Sequence, residues 1–259
     1  AYAARFHKEL STSFVGLAKP LLITAAFCVL LVLEPDFGAS AVLFATAFGL
    51  LFISGAQLRW VLLCMVGGGA AFAGVAVLEA YRLKRLTCFL NPWEHAQECG
   101  YQPVQSLIAI GRGEWFGVGM GESVQKLFYL PEAHTDFLFA VLAEELGLMG
   151  VLLTLGLFVA LAWRALHIAR EAATAGLRFQ AGIAAAFGLW VGIQSLINIG
   201  VTMSVLPTKG LTLPFMSFGR SSMMVALMWA GMVLRVHHET QVRVRGGASV
   251  SARRTGREV

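Results

Sequence analysis

The segment Pro131-Glu132-Ala133-His134-Thr135-Asp136 sets two carboxylates and an imidazole directly ahead of a long apolar run. A carboxylate in that place has two readings. Thr135 or Asp136 could cap a helix, satisfying free N–H groups and meeting the positive end of the dipole. Asp136 could instead serve as a base toward a hydroxyl held at the lipid–water boundary. Glu144 and Glu145 follow inside the apolar run, where charges are costly and are usually paired or functional. On an unbroken helix Glu144 would sit about 80° from Asp136 and Glu145 about 180° away. Glu144 is therefore expected on the Asp136 side, and Glu145 against a neighbouring helix or water.

A second unusual stretch runs Leu206-Pro207-Thr208-Lys209-Gly210-Leu211-Thr212-Leu213-Pro214 and on to Gly219-Arg220-Ser221-Ser222. Prolines, glycines and polar residues at membrane depth predict a broken or re-entrant segment near 206–220. Such backbone is tolerated only where protein covers it or it lines a wet cavity. Lys209 and Arg220 would share the outer side with Asp136, and two cations beside a carboxylate suit an anionic lipid headgroup. The alternative is that they snorkel at helix ends. The run Gly117-Val118-Gly119-Met120-Gly121 superficially resembles a phosphate loop. No strand precedes it and no Gly-Lys-Ser/Thr follows, so a flexible loop is expected rather than a nucleotide site. The sequence offers no metal-ligand cluster. A divalent cation, Mg or Mn, fits only as an ion shared by Asp136 and a phosphate.

Elements must hold these residues, and composition says which. Hydrophobic residues make up 57% of the 259 and charged ones only 14%, far from the ~25% charged of soluble domains. The apolar blocks are long enough to span a bilayer, which takes ~20 residues. About six spans are expected in an all-α, polytopic transmembrane helix bundle. Residues 1–78 carry three, beginning near 20, 39 and 60. Residues 79–136 form one large extracytoplasmic loop, and 137–236 carry three more spans, beginning near 137, 179 and 221. Residues 237–259 make a basic cytoplasmic tail.

With the N-terminus inside, the inner segments hold thirteen Lys/Arg against four acids, while the large loop holds five against seven. That asymmetry obeys the positive-inside rule and explains the net charge of +5 with no nucleic-acid partner. Val104, Leu107 and Ile108 have helical spacing for a short interfacial helix. Cys28 and Cys64 read as small hydrophobes. Cys88 and Cys99 lie on the oxidising side and are expected to form a disulfide, two free thiols being the alternative. The chain opens Ala-Tyr-Ala-Ala-Arg, which points to a processed or truncated start.

Asn91-Pro92-Trp93-Glu94, Gly100-Tyr101-Gln102, Gln105-Ser106-Leu107, Ser123-Val124-Gln125-Lys126-Leu127, Glu144-Glu145-Leu146-Gly147 and the stretches around Asp136 and Lys209 occur in one order along nearly the whole chain. In this the sequence resembles the SEDS family of shape, elongation, division and sporulation proteins, and its division member more than its elongation member. The resemblance implies a ten-span peptidoglycan glycosyltransferase of the bacterial inner membrane, working at the division septum, with this chain as spans five to ten. Its implied substrate is lipid II, and its implied partners are a class B penicillin-binding protein transpeptidase and other divisome membrane proteins. It implies Asp136 as the catalytic carboxylate, Arg85, Lys126, Glu132 and Lys209 as substrate-binding residues, and Glu144, Gln105 and Ser106 in support. Arg220 departs from the pattern, standing where the family usually carries glycine. A lipid II transporter and a non-catalytic scaffold for a transpeptidase remain the alternatives.

Overall fold

The computed structural model describes residues 2–77, 88–208 and 210–255. Two short helices, α1 (Tyr2–Arg5) and α2 (His7–Thr12), lead into α3 (Phe14–Leu33), which Ser13 caps by accepting the N–H of Val15. Pro20 lies inside α3 rather than at its start, where the apolar run alone would place the first span. A proline there leaves the carbonyl four residues earlier without its helical donor. That carbonyl belongs to Gly16, and the hydroxyl of Tyr2 donates to it at 3.0 Å. The helix therefore runs through its proline, starting six residues ahead of it.

Helices α4 (Phe37–Ile53) and α5 (Leu58–Val77) follow, the first capped by Asp36, which accepts the N–H of Ala39 at 2.9 Å. After the outer loop, with α6 (Tyr101–Gly113) and a π-helical turn at Gln125–Tyr129, come α7 (Leu138–Thr174), α8 (Arg178–Thr202) and α9 (Arg220–Thr255). Phe14–Leu33, Leu138–Thr174 and Arg178–Thr202 are long and apolar enough to cross a membrane, and Phe37–Ile53 and Leu58–Ala70 are shorter apolar helices. Helix α9 carries the 221–236 apolar run and continues into the basic segment.

The core lies between α7 and α8. Ala165, Ala169 and Ala172 meet Ala181, Ala184 and Ala185, small residues that let two helices approach closely where no hydrophobic effect drives them together. Phe187 of α8 packs edge-on against Phe215 and Trp229, and Trp229 stacks on Trp190, tying α9 to the pair. Leu22, Ile23, Phe27 and Leu30 of α3 remain largely exposed, as suits a surface turned to lipid.

The short helix expected from Val104, Leu107 and Ile108 is present as α6. It turns its small face, Ser106, Ala109 and Gly113, inward, and Ser106 donates its hydroxyl to the carbonyl of Thr202 at 2.7 Å. The loop is thereby pinned to α8.

Candidate active site

Helix α7 is interrupted at Gly147, whose φ of 63° and ψ of −164° leave the helical region. A break in an apolar helix frees carbonyls on one side and N–H groups on the other, and each needs a partner. The outer loop supplies all four. Val118 and Gly119 donate to the carbonyls of Glu144 and Glu145, while Leu148 and Met149 donate to those of Glu114 and Trp115, at 2.9–3.2 Å. Close approach demands glycine at the crossing. A Cβ on Gly113 would collide with the carbonyl of Ala143, and one on Gly117 with that of Glu145. Gly117, Gly119 and Gly121 all adopt positive φ. The glycine run expected to be a flexible loop is thus an ordered strap, because those left-handed turns aim its N–H groups at the break.

The same strap satisfies both in-membrane acids. Glu144 is fully buried and accepts from Arg112 Nη1 at 3.1 Å, Ser123 Oγ at 2.5 Å and the N–H groups of Val124 and Gln125. Glu145 pairs with Lys126 Nζ at 2.5 Å. The helical projection from Asp136 fails here because Asp136 precedes the helix. Both acids face the strap, and Lys126, expected to meet substrate, is held by Glu145. A carboxylate at membrane depth takes the nearest cation. Further back, Cys88 and Cys99 form the expected disulfide, their Cα atoms 5.9 Å apart.

Asp136 sits differently. Residues 131–137 form turns, and α7 begins with Phe137 as N-cap and no side-chain capping bond. Thr135 donates its hydroxyl to Glu132 instead, at 2.6 Å. The Asp136 carboxyl faces Gly210: a Cβ built on that glycine would lie 3.3 Å from Oδ2. Asn198 of α8 clamps the two strands of irregular chain together, donating Nδ2 to the carbonyls of Asp136 at 2.9 Å and Leu211 at 2.5 Å. Gln194, one turn earlier, donates to the carbonyl of Thr212, Leu213 N–H donates to Ser217 Oγ, and Phe218 N–H donates to the carbonyl of His134 at 2.8 Å. Side chains of α8 and the carbonyl of His134 thus hold the described part of the non-helical stretch between α8 and α9. Two of its neighbours, Glu132 (φ 57°) and Phe215 (φ 63°), hold left-handed backbone that costs on the order of 1–3 kcal/mol each.

Burial pushes the Asp136 carboxyl up to about 6, with help from the negative charges of Glu132 and Asp36. A carboxylate raised in this way is ionised at neutral pH yet a stronger base than an ordinary aspartate. Among the described residues no trio of His, Cys, Asp or Glu is gathered closely enough to hold a metal ion. A cavity of about 820 Å³ lies at the opposite end of the bundle, lined by His7, Ile53, Arg170, Phe179 and Trp229 among others. It is remote from these carboxylates.

Of the expected site residues, the structure brings Asp136 and Glu132 together beside Gly210, ties Lys126 and Glu144 into the strap, and uses Ser106 to pin α6. Gln105 on α6 is partly buried. Arg85 and Lys209 lie outside the described residues. Asp36, Gln194 and Asn198 escaped the reading of the sequence. The two amides were discoverable, since polar side chains one turn apart in an apolar span demand partners. Asp36 lies a hundred residues from Asp136 in the chain, and only the packing of the α3–α4 turn against the Leu211 segment, with Gly38 against the Leu211 side chain, brings it near.

The chain matches the sequence profile of the FtsW, RodA and SpoVE cell cycle proteins over residues 1–242. It is 52% identical over 244 residues to the probable peptidoglycan glycosyltransferase FtsW of Coxiella burnetii, covering 93% of this chain and 65% of that protein. It is 54% identical over 240 residues to the FtsW of Nitrosococcus halophilus, covering 93% and 62%. The chain thus spans under two thirds of the length of these relatives. Among solved structures it resembles a chain of a peptidoglycan synthase complex, with TM-score 0.73, 30% identity, and coverage of 93% of this chain and 67% of that one. It also resembles the rod shape determining protein RodA of Thermus thermophilus, with TM-score 0.60, 26% identity, and coverage of 92% and 63%. With its broken helix, its strap and its anchored irregular segment, this all-α polytopic membrane chain belongs to the FtsW/RodA/SpoVE family of cell cycle proteins.

Proposed function

We propose that the protein is a peptidoglycan glycosyltransferase that polymerises lipid II at the bacterial division septum, in the inner membrane. The observation that carries this reading is the Asp136 carboxyl. It is partly buried, raised to about 6, and set where the outer loop meets a span, within reach of a headgroup whose tail stays in the bilayer. The names of the relatives support it.

In this reading the 4-hydroxyl of one lipid II attacks the anomeric carbon of a lipid-linked glycan. The new C–O bond forms as the bond to undecaprenyl pyrophosphate breaks, with inversion. Asp136 takes the hydroxyl proton as general base. Glu132 and Asp36 keep that carboxyl basic by repulsion, and Asn198 fixes the turn that carries it. Cations must meet the charge growing on the departing pyrophosphate; Arg85 and Lys209 have that role by resemblance. A divalent cation, where used, would be held by Asp136 and would supply charge neutralisation to the departing pyrophosphate. The partner in this reading is a class B penicillin-binding protein transpeptidase, which cross-links the emerging strand.

Reconstitution of the full-length protein with lipid II tests the reading. Glycan polymer is the expected product. Lipid movement across the bilayer without polymer would instead make it a transporter, and neither activity, with a transpeptidase still bound, would make it a scaffold.

A further inference from the structure

The glycines of this fold are told apart by what a side chain on each would strike. On Gly113, Gly117 and Gly147 it would strike backbone, and on Gly38 and Gly49 the side chains of Leu211 and Leu189. Gly210 differs. Among the described residues, the one heavy atom within 4 Å of a Cβ built there is Oδ2 of Asp136, at 3.3 Å. No other described glycine stands against a carboxylate oxygen in this way.

The gap between Gly210 and that oxygen is open to water. Gly210 is exposed, whereas Ala133 and Phe137 beside the Asp136 turn, and Leu211 beside Gly210, are buried. Solvent therefore reaches the half-buried carboxyl on the Gly210 side.

The gap also has a fixed width. Asn198, itself 1% exposed, donates to the carbonyl of Asp136 at 2.9 Å and to that of Leu211, next to Gly210, at 2.5 Å. A second tie joins the same two stretches of chain, where the N–H of Phe218 donates to the carbonyl of His134 at 2.8 Å. Widening the gap would break these bonds. Glycine loses more freedom on folding than any other residue, so its use here needs a reason, and the carboxyl is the neighbour that supplies one.

A hydroxyl that gives its proton to a carboxylate must bring its oxygen to about 2.5–3.0 Å. A Cβ at 3.3 Å from Oδ2 is already closer than ordinary contact, and it would fill the space that such an oxygen needs. We infer that Gly210 is a specificity-determining residue: the space left by its missing side chain receives the attacking hydroxyl of the acceptor sugar, against Oδ2 of Asp136. This rests on the glycosyltransferase reading for the identity of the acceptor. The hydroxyl proton passes to Oδ2 as the oxygen bonds to the anomeric carbon, and the pyrophosphate departs with the electron pair of its own bond. A side chain at 210 leaves the base in place and removes the room in front of it.

The test compares wild type and Gly210→Ala as full-length protein in neutral detergent, with lipid II as substrate. Gly210→Ala is expected to lower kcat/KM for polymerisation about tenfold or more, as for a displaced reacting group. Its melting temperature and its binding of undecaprenyl pyrophosphate, which carries no acceptor sugar, should match those of wild type. The pH of half-maximal kcat/KM should also move up, because a methyl group in place of water desolvates a carboxyl already facing Glu132 and Asp36. Polymerisation at the wild-type rate would overturn the inference. A variant that melts lower or fails to fold would overturn it too, since the glycine would then be serving its own backbone. So would a loss of activity with the pH midpoint unmoved, or with undecaprenyl pyrophosphate binding lost in step, because the damage would then lie away from the carboxyl. Failure of wild type itself to make polymer would overturn the enzymatic reading, whereas a defect confined to the variant concerns Gly210 alone.

Discussion

Two carboxylate sites lie ten residues or less apart in the chain and have opposite surroundings. Glu144 is saturated: a guanidinium, a hydroxyl and two backbone N–H groups converge on it, and it is fully buried. Asp136 faces other acids and a glycine, and its carboxyl is pushed up rather than settled. Burying a charge without donors is expensive, so a fold that needs an acid for stability surrounds it as Glu144 is surrounded. An acid short of donors among the described residues is being kept for something else. Residue type and spacing made these sites look alike, and their partners separate them.

The largest expected effect breaks the comparison at Asp136. On the proposed glycosyltransferase reading, Asp136→Asn keeps the size of the side chain but removes the base, so polymerisation should fall about 10²-fold or more with the protein still folded. Near-normal glycan synthesis by the purified Asn variant would falsify the base assignment.

Breaking it at Glu144 should act on folding instead. Glu144→Ala strands Arg112, the Ser123 hydroxyl and two N–H groups. The half-exposed Arg112 can turn to water, but the others cannot, so a loss of about 2–3 kcal/mol is expected. A thermal-shift measurement in detergent checks it. Unchanged melting would mean that water replaces the carboxylate and that the strap is not held by it.

A smaller effect is expected at the crossing itself. Gly117→Ala combines a φ of 79° with a Cβ driven into the carbonyl of Glu145. The cost should be about 1–2 kcal/mol, with the loop lifted from the break. Faster hydrogen exchange at Val118 and Gly119, whose N–H groups bond across the break, would report it. Exchange as slow as in wild type would show that the strap tolerates the side chain.

Much of this was legible in the sequence, for physical reasons. Apolar blocks show an all-α membrane chain because lipid enforces long apolar helices. The irregular stretch near 206–220 showed itself through its prolines and glycines. The Gly147 break did not. Glycine is common in membrane helices, and only the matching glycines at 113 and 117, brought there by tertiary packing, show that the helix opens. For the same reason Lys126 read as a substrate contact, since nothing in its local sequence announces a partner nineteen residues on. Asp136 was legible as a candidate, but its environment depends on Asp36, a hundred residues away in the chain.

The subtlest prediction turns on pH. Because the folded Asp136 carboxyl lies at about 6, above its ordinary value of 3.8, the folded protein holds this proton more tightly than the unfolded chain does. Stability from this group is therefore fully present below about pH 4 and is lost as pH rises through about 6. Activity should run the other way, climbing over the same window as the base ionises, with kcat/KM half-maximal near pH 6. The Asn variant lacks the group, so its stability relative to wild type should improve between pH 4.5 and 7.5. Partial solvent exposure limits the gain to below about 1 kcal/mol. A capping or donor-saturated aspartate, its pKa lowered, would leave the difference between the two proteins flat over this window, because its stability is lost only below its unfolded value of about 4. Melting temperatures of the two proteins at the two pH values thus decide whether Asp136 belongs with Glu144 or apart from it.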